Sequence, residues 1–172
     1  MIRNHRHVAA ALVAGTLLAA TPALAHPHVF VDAKAEIVFD KNGAITAVRH
    51  IWQFDPDFTA MATLNLDTNN DGKLSEDELV PLAQTNMDSL KEYGFFTKLL
   101  IAGRKTAFTQ PTEYWLDFHG EQLTLFYTLP LKTPLAFKGD ATLEVFDPEY
   151  FVAFTFVKKG AVTLDGDRKS VV

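Results

Sequence analysis

The chain has 172 residues, no cysteine and a formal net charge of −5. The lack of cysteine excludes disulfides and thiolate metal sites, and the acidity argues against a nucleic-acid partner while suiting cations. A chain of this length is sufficient for one domain with its own core.

The first 25 residues have the three parts of a secretory signal: Arg3 and Arg6 as a basic start, an apolar run from Val8 to Ala20, and Ala23-Leu24-Ala25 as a small-x-small cleavage site. The run is shorter than the ~20 residues a spanning helix needs, and nothing later is long and apolar enough. The expected product is therefore a periplasmic domain, residues 26–172, without a transmembrane span. Loss of Arg3 and Arg6 takes its net charge to −7.

That product would start His26-Pro27-His28. A free α-amine and the imidazole of a first-position histidine can chelate one ion, His28 adds a second imidazole, and Asp32 lies on the same strand face. Nitrogen donors of this kind suit nickel, cobalt, zinc or copper. A solvated terminus that happens to carry two histidines explains the same residues.

From Val29 to Phe39 apolar and polar residues alternate, as in a half-buried strand. Asn42-Gly43 predicts a two-residue hairpin turn. That register sets Glu36 across from Arg49 on the wet face, and puts Val48, His50, Trp52 and Phe54 with Ile37, Ala35, Ala33 and Val31 on the core face. His50 then reads as a core histidine. Asp55-Pro56-Asp57 ends the hairpin, and Phe58 to Leu66 reads as a short helix.

The next twelve residues, Asp67 to Glu78, match an EF-hand calcium loop. Asp67, Asn69 and Asp71 supply side-chain oxygens, Gly72 the sharp turn, Lys73 a carbonyl, Ser75 a direct or water-borne contact, and Glu78 a bidentate carboxylate. A chance acidic turn uses the same residue types, but rarely fills so many fixed positions. The loop is single, whereas EF-hands usually work in pairs. Pro81 predicts that the exit helix kinks, or starts afresh with Pro81 in its first turn. Leu79, Leu82, Met87, Leu90 and Tyr93 keep helical spacing up to Gly94, so the helix-loop-helix unit spans 58–93.

Short segments rich in aromatic and branched residues then recur, from Phe95 to Leu164, separated by Gly, Pro or Asp. They predict a mainly β (α+β) fold, an antiparallel β-sandwich with the EF-hand unit inserted. Among them, His119 falls at a hairpin tip and Asp147-Pro148-Glu149-Tyr150 in a turn. Either His119 or Asp147 could complete a site begun by His28 if the ends of the sandwich converge. The chain has no Gly-x-Ser-x-Gly, His-Glu-x-x-His or phosphate-binding glycine loop, which argues against an enzyme.

The start His26-Pro27-His28-Val29-Phe30-Val31-Asp32, the calcium-loop insertion, Phe95-Phe96-Thr97 and Asp147-Pro148-Glu149-Tyr150-Phe151 together resemble the bacterial family called domain of unknown function 1007. Members are labelled the periplasmic component of an uncharacterised ABC-type transport system and tend to be encoded near nickel or cobalt permeases. They are expected to continue past the last strand. The resemblance implies a metal-related role for His26, His28 and Asp32, accessory to a membrane metal transporter. Two other readings stay open: an extracytoplasmic interaction module that calcium only stiffens, and a copper-dependent oxidative enzyme.

Overall fold

The computed structural model describes residues 27–136 and 139–166. Its strands are β1 Val29–Phe39, β2 Ala44–Phe54, β3 Thr97–Ile101, β4 Arg104–Lys105, β5 Glu113–His119, β6 Gln122–Ala136, β7 Ala141–Val145, β8 Val152–Phe156 and β9 Val162–Asp165. The helices α1 Pro56–Ala62 and α2 Glu76–Glu92 lie between β2 and β3. The larger sheet has the order β5-β6-β2-β1-β8, with β9 also paired to β1, and the smaller sheet is β4-β3-β7.

The alternation in β1 is obeyed residue by residue. Val31, Ala33, Ala35 and Ile37 are buried, and the residues between them are exposed or half-exposed. Their partners are Phe54, Trp52, His50 and Val48. On the other face Glu36 faces Arg49, and the two form an ion pair. The turn differs from the two-residue expectation. The Asp40 amide donates to the Ala44 carbonyl and the Gly43 amide to the Asp40 carbonyl, so three residues, Lys41 to Gly43, make the connection. A register shift between Val38 and Phe39 absorbs the extra residue. Gly43, at φ 77°, takes the left-handed position that this turn needs.

One face of the larger sheet carries the core. At one end, Leu79, Ala83 and Met87 of α2 pack with Trp52, Leu116, Leu123, Leu125 and Tyr127. At the other, Leu99 and Ile101 of the small sheet pack on Ala35, Ile37, Ile45 and Val48. The result is mainly β and sandwich-like. The antiparallel expectation holds for β5, β6, β2 and β1, but β8 and β9 both join β1 in parallel, so the larger sheet is mixed.

Three local expectations are corrected. The first helix covers Pro56–Ala62, not Phe58 to Leu66, because Asp55 caps it: the Asp55 carboxylate accepts from the Phe58 amide, with Pro56 in the first turn. The second helix does not start afresh at Pro81, which sits inside one continuous element, Glu76–Glu92. Third, β3 begins only at Thr97, since Gly94–Phe96 form a 3₁₀ turn with positive φ at all three residues.

Candidate functional site

The Asp67–Glu78 loop is wound by its own side chains. Asp67 accepts through Oδ1 from the Asp71 amide at 3.2 Å and through Oδ2 from the Gly72 amide at 2.9 Å. Asn69 Oδ1 accepts from the Asp71 amide and Asp71 Oδ1 from the Lys73 amide, both at 2.8 Å. Successive Asx turns of this kind curl the chain about the short acidic side chains. Gly72 sits at φ 78°, where any side chain would be strained.

Glu78 ties the two ends of the loop together. Its Oε1 accepts from the Thr68 amide at 2.7 Å and its Oε2 from the Ser75 amide at 3.0 Å and the Ser75 hydroxyl at 2.8 Å. Ser75 in turn caps α2 by accepting from the Glu78 amide, which completes a capping box. The Ser75 amide first, then its hydroxyl and the Thr68 amide, hold the Glu78 carboxyl at about 2. Thr68 was not singled out by the sequence pattern, because its contribution comes mainly from its backbone.

The donor set consists of oxygens with three formal negative charges, which suits a hard divalent cation. Among the described residues no group of three or more His, Asp or Glu side chains converges to hold a metal ion. In the loop the carboxylates are turned onto backbone amides. A carboxylate offers about four lone-pair positions, so Asp67 and Asp71 keep acceptor capacity beyond these bonds. The polypeptide between α1 and the loop is a turn with Asn65 at φ 63°, in place of a helix running into Asp67.

The other sequence-marked residues are more scattered. His26 and the signal segment lie outside the described residues. His28 is exposed, and its ring lies 5.1 Å from that of Phe151, while its amide donates to the Phe151 carbonyl at 2.8 Å. The amino-terminal strand and the Asp147–Phe151 loop do therefore meet. Asp32 is on the same face as His28 but four residues on, about 13 Å along an extended chain.

Asp147 is buried, and its carboxylate accepts from the amides of Glu149, Phe151 and Val152 at 2.8–3.0 Å. It organises the loop against which His28 rests. His119 ends β5, exposed and paired across to Gln122. Two strands separate β5 from β1, which puts His119 roughly 14 Å from that strand. His50 is fully buried on the opposite face, with Nε2 3.2 Å from Thr97 Oγ1. Because Thr97 Oγ1 donates to the Phe95 carbonyl, it accepts from His50 Nε2. Burial alone pushes His50 down to about 3, so it is neutral.

A family model described as Protein of unknown function (DUF1007) matches residues 11–171. The chain belongs to that family. This DUF1007 chain is 31% identical over 108 residues to the uncharacterized 15.5 kDa protein in trpE 3' region of Spirochaeta aurantia, a match covering 61% of this chain and 77% of that one. It is 26% identical over 142 residues to an uncharacterized protein of Haemophilus influenzae, covering 81% of this chain and 66% of the relative. No solved structure matches it. Among the described residues of the DUF1007 chain, no helix is long and apolar enough to cross a membrane.

Proposed function

We propose that this protein is a non-enzymatic, exported calcium-binding protein that takes one ion in the Asp67–Glu78 loop. The observation that carries the reading is the loop's internal bonding. Side chains at its first, third and fifth positions accept from the amides of the fifth, sixth and seventh residues, around a glycine in the left-handed region. Asp67, Asn69, Asp71, the Lys73 carbonyl, Ser75 and Glu78 would hold the cation. Calcium would supply the positive charge that three mutually repelling carboxylates lack. Glu78 would give up part of its hold on Ser75 and Thr68 to close the shell. A lone extracellular site of this type binds at about 10⁻⁴ to 10⁻³ M.

A second part of the reading concerns the amino terminus. His26 and His28 would take a borderline transition ion, nickel, cobalt, zinc or copper, in an accessory role to a membrane metal transporter. What supports it is the exposed imidazole of His28, held at the end of β1 against Phe151.

Thermal melting tests the calcium site. A ligand that binds only the folded state raises Tm by mass action. Millimolar calcium is expected to raise the Tm of the wild type and to leave Glu78→Gln nearly unmoved. Equal responses, or none, would refute the assignment.

A further inference from the structure

A cavity of about 360 Å³ lies between the larger sheet and α2, closed at one side by the Asp147–Phe151 loop. That volume is in the range of small-molecule sites and would hold about twelve waters. Its inner wall is aromatic, with Trp52, Phe54, Phe96 and Phe154 among the lining residues. At its mouth Tyr93 and Phe151 are 49% and 53% exposed, large rings left in water beside an apolar hollow.

Two further observations mark this wall as more than imperfect packing. Trp52 Nε1 and Asn86 Nδ2 are buried donors without a partner, a cost that structures seldom carry without reason. Phe95 and Phe96 are held at φ 57° and 49°, a conformation that bulky residues avoid and that tends to persist at ligand sites. The strained pair is anchored by the Phe95 carbonyl, which accepts from the Thr97 hydroxyl at 2.7 Å, and Phe96 forms part of the wall.

Charge indicates what the cavity suits. Among the described residues, the charged ones lining it are Asp147 and Glu149. Asp147 is committed to backbone amides, whereas the exposed Glu149 side chain stands at the mouth. Asn86, Ser89 and Leu90 come from the last two turns of α2, whose C-terminal end carries partial negative charge. Aromatic faces also attract cations. An anion would meet none of these favourably, while the unpaired N–H donors Trp52 Nε1 and Asn86 Nδ2 suit a neutral acceptor oxygen on the body of the ligand. We propose that this cavity binds a small organic cation, an amine or quaternary ammonium on an apolar body, with the charge at Glu149 and the body against Trp52 and Phe154.

The test uses Trp115→Phe, which leaves Trp52 as the single tryptophan and therefore as a reporter inside the cavity. Octyltrimethylammonium, octanol and octanoate are titrated below their aggregation limits while Trp52 emission and Tm are followed. Saturable binding of the ammonium is expected, at least about fivefold tighter than octanoate, as a cation near aromatic faces and a carboxylate requires. Glu149→Gln should weaken the ammonium severalfold and leave octanol unchanged. Leu90→Trp, followed by Tm alone, should fill the cavity and abolish binding of all three. The proposal is overturned if the ammonium does not saturate, if octanoate binds as tightly, or if Glu149→Gln leaves the preference intact. The Glu149 variant changes only an exposed side chain, so the comparison survives even where Leu90→Trp fails to fold.

Discussion

Replacing Asp147 by alanine isolates the role of a buried carboxylate that resembles a metal ligand in the sequence. In the structure its two oxygens accept three backbone amides, those of Glu149, Phe151 and Val152. A hydrogen bond to a charged group contributes about 1.5–3 kcal/mol, but these amides are only part-buried and water can replace some of the lost bonds, so a total near 3 kcal/mol is the reasonable figure. For a domain of this size that corresponds to a fall in Tm of about 6–12 °C. Asp147→Asn keeps one good acceptor and turns an amide group against a backbone donor, so about half of the loss is expected. Urea unfolding gives the free energies. Hydrogen exchange supplies a local readout, because His28 and Val29 donate to the Phe151 carbonyl and should lose protection with the loop. The effect should be the same with and without transition metals. A stability of Asp147→Ala within 0.5 kcal/mol of wild type would refute the reasoning, as would a loss that appears only when metal is present.

Other outcomes follow from single groups. His50 is neutral in the folded protein with its pKa lowered from 6.5 to about 3, so its contribution is complete above about pH 6.5. As pH falls below that value stability should drop by up to about 1.4 kcal/mol per pH unit, a slope that His50→Gln removes in urea titrations at pH 7 and 5. Glu78, held at about 2, should titrate well below a free glutamate, and Ser75→Ala should raise its pKa in a side-chain NMR titration. Glu36→Gln breaks the ion pair with Arg49 on a partly solvated face, so denaturant melts should show less than about 1 kcal/mol. For the amino terminus, a nickel or zinc titration with calcium present should show tighter binding to protein starting at His26 than to the same protein with one residue added before it or to His28→Ala. Equal affinities would remove the transition-metal role.

Local chemistry made much of this fold legible. Alternation from Val29 to Phe39 and the Glu36–Arg49 pairing identify the first hairpin, its register and the burial of His50. The turn has one residue more than Asn42-Gly43 implies, yet the register is as expected, because the shift beside Val38 cancels the third turn residue. The parallel pairing of β8 and β9 with β1 was not legible. It depends on where the chain returns after crossing to the small sheet, and no local pattern encodes that. Asp55 ends the hairpin and also caps α1, a role that Asp-Pro before a helix signals. Its carboxylate also accepts from the Phe30 amide and so fastens β1 to α1. The winding of the Asp67–Glu78 loop, the proposed calcium site, was legible because its chemistry lies within twelve consecutive residues. The cavity was not, because Trp52, Asn86 and Glu149 meet only through packing.

The amide of Gly72 offers the most direct test of the calcium assignment. It donates to Asp67 Oδ2, at the centre of the loop. In amide NMR spectra of chelator-treated protein, calcium added to millimolar concentration should shift Gly72 and its neighbours from Asp67 to Glu78 saturably, with one ion per chain, and Asp67→Asn together with Glu78→Gln should abolish the shift. Loop resonances that stay in place through that range, or that move equally in the double variant, would contradict calcium binding at this site.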